Sequence, residues 1–351
     1  MAEQFYKQIV YPFKDLRGQF VRLSEPYGGL LQVEWNDNKI IGYDIQAPEY
    51  PLLDGMPRRT ELFRILLSED NMAVKVCSLS CGQPVHDAVV EFVSGSHSEG
   101  DCVVRVSCTQ PADHDQRQFI KESSFDQHTS SERFRTLQGA GLSFEYKQIE
   151  LLSKTGLNSK MAKIVKPGLF VGDYGGHGLE IVNLAYKDHI DLEFKEGLES
   201  YPSQATLTKV TGDPNIQAGN ISLQVDLTKP ISFHQWLEYI HDNTNNNLYD
   251  LELDPQGFIT DYRDLWQDSE PNPPNIPTHP NFQSWLRSGV NSRYCPKTFQ
   301  YAFKAKIQLR ALGEAAFYED AFWVVFNNDV HACCWIQYHH IFLFHRMTVP
   351  V

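Results

Sequence analysis

Apolar side chains recur at every second position over much of this chain, the pattern of strands with one buried face. The longest clean stretch runs near the C-terminal end. There Phe299, Tyr301, Phe303, Ala305, Ile307 and Leu309 alternate with Gln300, Lys304, Lys306, Gln308 and Arg310. Ile221, Leu223, Val225 and Leu227 fall on one face in the same way. Turn-forming residues separate such runs at Asn36-Asp37-Asn38, at Ser68 to Asn71 and at Asn327-Asn328-Asp329. Asn and Asp tolerate the left-handed backbone of tight hairpins, so each of these predicts two antiparallel strands. Further strands are expected near Ala88–Phe92 and Cys102–Ser107.

Two regions break the pattern. Between about 115 and 160, Thr129 with Glu132 forms a capping box. Phe134 and Leu137 follow at helical spacing, with Gly139 as a stop. The segment FEYKQIELLSK, 144–154, is expected to be a second helix. From about 234 to 290 the chain is rich in Asn and Pro, with five prolines from Pro271 to Pro280. That composition reads as a long surface loop. DLELDPQG, 250–257, hints at a calcium loop but lacks glycine at its sixth position. About a dozen strands remain, and a sheet that large must curl or close. The expected fold is mainly β: an arm over 1–25, then a single barrel domain over 26–351 with roughly ten or more antiparallel strands, a helical insertion at about 115–160 and the irregular one at about 234–290.

Composition narrows the function. A formal charge of −13 over 351 residues argues against a nucleic-acid backbone or an anionic membrane as partner. The start of the chain has no apolar signal region, and no run reaches the length of a membrane helix. Seven cysteines without a signal point to thiols or metal ligands in a soluble cytoplasmic or nuclear protein.

The densest special chemistry lies in KPGLFVGDYGGHGLEIVNLAY, 166–186, and in KVTGDPN, 209–215. Gly172, Gly175, Gly176 and Gly178 ask for a tight corner or for a ligand close to the backbone. They run into the strand-like LEIVNLAY rather than a helix, which excludes a dinucleotide loop. In TGDPN, Asp213 suits an Asx turn, its carboxylate accepting backbone N–H groups. Asp173, His177 and Asp213 could converge near the glycine corners, but an acid beside a histidine is weak ground for acid–base work. No nucleophile elbow, zincin helix or P-loop is present, so the chain reads as non-catalytic.

Cys77 with His86, and Cys108 with His114, form two Cys–His pairs, with Cys81 a spare thiol beside the first. A Cys₂His₂ set makes a closed structural zinc site. The spacing alone fits that site or buried thiols with solvent-exposed histidines. Cys333 and Cys334, being adjacent on a strand, point to opposite faces and read as packing residues, as do His339 and His340.

PYGGLLQV (26–33), IIGYDI, ELFRILL, IVKPGLFVGDYGGHGLEIVNL, KVTGDPNIQAGNISLQVDL and FWVVFNNDVHACCWIQYHHIFLFHRM together resemble the substrate-binding domain of the F-box only protein 31 family. The resemblance implies a lipocalin-like barrel with a helical excursion and a structural zinc. It also implies a receptor role in a Skp1–cullin–F-box ubiquitin ligase, binding protein clients through their C-termini, including D-type cyclins and amidated ends. The family's zinc ligands fall on Cys77, His86, Cys108 and His114, the first spacing being one residue longer here, with Cys81 a possible substitute. Its client pocket falls on Asp213, with Lys209 beside it and Gly175 and His177 at the glycine corner. Nothing ahead of Tyr27 is long enough for an F-box, so docking to a ligase scaffold is expected only if that module is supplied elsewhere. The other readings of such a barrel are a C-terminus binder with no ligase role and a carrier of small apolar molecules.

Overall fold

In a computed structural model, the residues described are 2–348 apart from 109–142, 149–163, 232–275, 278–293 and shorter stretches that include 78–85, 95–101 and 175–177. The architecture is mainly β, and the alternating segments form antiparallel ladders as their periodicity requires. They close into two barrels of eight strands each, rather than into one barrel of ten or more.

The first barrel comprises β1 (Gly18–Arg22), β2 (Leu30–Asn36), β3 (Lys39–Gln46), β4 (Arg58–Leu67) and β5 (Ala73–Cys77). It is completed by β6 (His86–Ser94), β7 (Cys102–Cys108) and β8 (Ser143–Gln148). Two sequence expectations are corrected here. β1 lies inside the expected arm, and it is a strand because Phe20 is fully buried in the barrel core. β8 lies where local spacing predicts a helix. Its ladders to β1 (Phe20↔Gln148) and β7 (Val104↔Tyr146) close the barrel, so long-range pairing overrides the local amphipathic spacing. The rest of the expected helical insertion lies outside the described residues. Ahead of β1, a short α-helix (Ala2–Phe5) continues into a π-helical turn (Tyr6–Val10). Ile9 of that turn packs into the same core as Phe20, Val33, Phe63 and Val104.

The second barrel begins with β9 (Gly168–Asp173), β10 (Leu179–Phe194), β11 (Gly197–Lys209) and β12 (Ile221–Pro230). Most of the irregular insertion lies outside the described residues; a two-residue ladder joins β13 (Ile276–Pro277) to β14 (Thr298–Phe299). The barrel then resumes with β15 (Tyr301–Leu309), β16 (Phe317–Val325), β17 (Val330–Trp335) and β18 (His340–Arg346), and β18 pairs with β9 to close it. The alternation predicted along β15 is present: Phe303, Ala305 and Ile307 are buried while Lys304 and Lys306 are exposed. Cys333 and Cys334 do face opposite sides, each packing in a different hydrophobic cluster.

Pleat parity divides the core three ways. One cluster fills the first barrel with Leu31, Val33 and Ile65. Another fills the second with Phe170, Val182, Leu207, Phe303 and Trp323. A third joins the outer faces of both, bringing Leu30 and Ile45 against Val171, Ile181, Val324 and Leu343. Among the described residues no helix is long and apolar enough to cross a membrane.

Candidate binding site

The glycine-dense stretch folds as a strand–turn–strand. β9 and β10 pair directly (Asp173↔Leu179), and the Tyr174 N–H donates to the Gly178 carbonyl at 3.0 Å. Gly178 has φ +78, a left-handed turn position that glycine fills without strain. Gly172 is needed for a different reason, since a side chain there would overlap the Phe344 ring of β18. No helix follows the glycines, in agreement with the exclusion of a nucleotide loop.

The second corner follows β11 and meets the first. The Val210 and Thr211 N–H groups both donate to the Ile181 carbonyl, at 2.9 and 3.1 Å. The Ile181 N–H in turn donates to Thr211 Oγ1 at 2.7 Å. Asp213 forms the Asx turn expected of it, its Oδ1 accepting from the Asn215 and Ile216 N–H groups at 2.6 and 2.8 Å. Its Oδ2 accepts from Lys209 Nζ at 2.6 Å.

Lys209 is fully buried. Its ammonium also pairs with Glu180 Oε2, and it lies 3.9 Å from the centre of the Tyr174 ring. Burial works against the charge of Lys209, but Glu180, Tyr174 and Asp213 outweigh that and hold its pKa above the usual lysine range. Burial pushes Glu180 up to about 8 against the pull of Lys209. Burial likewise raises the Tyr174 phenol, whose hydroxyl lies 3.3 Å from Ser222 Oγ.

Sequence reading missed Glu180. Its signal was an acid in phase with Val182 and Leu184, on the buried face of the first part of β10.

Above this cluster lies a cavity of about 420 Å³ at one end of the second barrel. Lys209 and Asp213 contribute to its polar side, and Leu223, Ile307, Phe342 and Phe344 to its apolar walls. Phe317 and Tyr338 also line it and are exposed, 46% and 52%, so the cavity reaches the surface between aromatic side chains. Trp335 forms another wall and donates its indole N–H to Glu319 at 2.6 Å. The far half of the barrel is filled. There Trp323 donates to His331 Nδ1 at 3.0 Å, and Phe344 stacks on that imidazole. Gly175 and His177 lie outside the described residues, so of the four expected pocket residues Lys209 and Asp213 are the ones placed together.

Of the Cys–His set, Cys77 and His86 are directly opposite in the β5–β6 ladder. Cys108 is opposite Ala88, two positions further along β6, so all three stand at the same end of three adjacent strands. Cys81 and His114 lie outside the described residues. Among the described residues no group of three or more potential ligands is assembled around a common point.

A family profile described as the Cyclin D1 binding domain matches residues 149–350, more than half the chain and all ten strands from β9 to β18. The chain belongs to this family. It is similar to F-box only protein 31 of Xenopus tropicalis, 28% identical over 270 residues, or 72% of this chain and 44% of the relative. To the human F-box only protein 31 it is 29% identical over 238 residues, or 63% and 40%. The rat protein gives 28% over 242 residues, or 64% and 43%. The chain thus spans less than half the length of these relatives. The family is named for binding a protein, cyclin D1, and these relatives for an F-box.

Proposed function

We propose that the second barrel is a substrate receptor that binds protein C-termini, above all C-terminally amidated ones, and does no chemistry of its own. The observation that carries this reading is the Asp213 carboxylate, which stands with Lys209, Asn215 and Ser222 on the polar side of a largely apolar cavity open at one end. An ionised carboxylate only accepts hydrogen bonds, which suits the N–H donors of a terminal amide and repels a second carboxylate. The cavity can take the last residue or two of a chain, while the aromatic rim receives what precedes them. The filled far half of the barrel favours this seat over carriage of a long apolar molecule. Through its kinship with F-box proteins, the module would present such ends to a ubiquitin ligase, with D-type cyclins among the clients.

A peptide ending in an amide is expected to bind at least tenfold more tightly than the same peptide as a free acid. Asp213→Asn, which keeps the shape of the turn, should remove most of that difference, and Asp213→Ala all of it. Equal binding of the two peptides by the wild-type protein would refute the reading. As a second element we propose a structural zinc on Cys77, His86, Cys108 and His114, supported by the register that gathers the first three at one barrel end. Stoichiometric zinc that is lost in Cys77→Ser would bear this out, and a metal-free wild-type protein would sink it.

A further inference from the structure

We infer that Glu180 is a positioning residue that ties off the Lys209 ammonium and thereby denies a free C-terminal carboxylate the only cation at the described pocket wall. This rests on the reading of the cavity as a seat for chain ends. Lysine presents three N–H donors and no acceptor. In this structure the ammonium meets three groups: Asp213 Oδ2 at 2.6 Å, Glu180 Oε2, and the face of the Tyr174 ring at 3.9 Å. A lysine with a direction left open would be an attractive carboxylate receptor, since charge-assisted bonds to carboxylates are among the stronger ones in proteins. Held as it is, fully buried and facing two carboxyl groups and a π-cloud, Lys209 serves instead as an internal counter-charge.

The placement of Glu180 makes the assignment specific. It sits on β10 next to the glycine corner and lies behind Lys209 rather than on the cavity wall, so it acts on a bound chain end only through the lysine. Asp213 is already engaged in its Asx turn and cannot swing to cover the direction that Glu180 covers. The strand geometry allows little adjustment, because the Ile181 N–H and carbonyl next to Glu180 are both held by the second corner.

The test is a matched pair of peptides, identical except for a terminal amide or carboxylate, titrated against the wild-type protein and Glu180 variants. Glu180→Met removes the acceptor at similar volume and frees the ammonium to turn one N–H toward the cavity that Lys209 lines. Its affinity for the free acid should rise about tenfold, with the amide changing less than threefold. Glu180→Gln restores an acceptor oxygen and should return the ratio to within about threefold of wild type. A general structural defect would weaken both peptides together and would not be rescued in the ratio. Should Glu180→Met fail to fold, Glu180→Asp withdraws the carboxylate by one methylene, and the ratio should then fall at least threefold. A wild-type preference for the amide that survives unchanged in Glu180→Met, or in Glu180→Asp in its stead, overturns the role of Glu180 alone. A wild-type protein that binds neither peptide overturns the pocket reading, and this inference with it.

Discussion

The two barrels have the same strand count and the same antiparallel order, yet in the second the apolar core shares the interior with a polar cluster and a cavity. The first is packed with Phe20, Leu31, Val33, Phe63 and Val104, and the N-terminal turn adds Ile9 to that core. The second is packed over half its length and then gives way to a buried Glu180–Lys209–Asp213 cluster beneath an open cavity. Strand alternation gives each barrel its buried face and long-range pairing closes it; a site requires corners that turn the backbone inward and carry polar groups with them. Two such corners meet in the second barrel, and the first barrel braces them. The Gly29 N–H donates to the Val210 carbonyl at 3.2 Å, and the Gly212 N–H donates to the Tyr27 carbonyl at 2.9 Å. Arg22 of β1 stiffens this strut by donating to the Gly28 carbonyl.

The contrast can be broken most severely in the interiors. Trp323→Ala should cost about 3–5 kcal/mol of stability and abolish peptide binding, because the cavity floor loses its support. Phe63→Ala should cost a similar amount, about 3–5 kcal/mol, yet leave the affinity of the still-folded protein within about twofold. Denaturant melts paired with peptide titrations would separate the two outcomes. Loss of affinity in Phe63→Ala would mean that the barrels are not separable in function.

The strut comes next. Gly28 has φ +59, and a Cβ there would overlap Ala218 and the Val210 carbonyl. Gly28→Val should therefore introduce roughly 1–3 kcal/mol of strain and weaken peptide binding about fivefold or more. Calorimetry of the bound and free variant would register both. Thr211→Val deletes the hydroxyl that accepts from the Ile181 N–H and should cost about 1–3 kcal/mol, with a smaller loss of affinity.

The mildest probe is pH. Because the Glu180 pKa is raised from its ordinary 4.5 to about 8, the folded protein holds a proton that the unfolded chain releases. Its contribution is thus fully present at low pH and is lost as pH rises through about 8. Between pH 5 and pH 8 the melting temperature of the wild type should fall relative to that of Glu180→Gln, and a constant difference across that range would contradict the assignment.

The ladders were legible in sequence wherever one face is buried and the other wet. β15 is the clearest case, with Lys304 and Lys306 exposed between buried neighbours. Closure was not legible, because the β1–β8 pairing that completes the first barrel leaves no mark in local periodicity. The same blindness turned Phe144–Gln148 into an expected helix. At the site, Asp213 announced itself through its Asx turn and Lys209 through its proximity. Glu180 was hidden because an acid in a strand that also carries Asp188, Asp191 and Glu193 looks like a solvent-facing residue until its phase is checked against Val182 and Leu184.

The strut at Gly28 also bears on the order in which the molecule assembles. It joins the start of the first barrel to the end of β11, a pairing of very distant segments that carries a high closure entropy and belongs to the slow part of folding. Since domains fold from the N-terminus as the chain is made, the first barrel can be complete before Lys209 and Asp213 have been synthesised. Competence to bind would then arrive in one late step, when the second corner docks onto a surface already in place, so partly made chains would not capture clients.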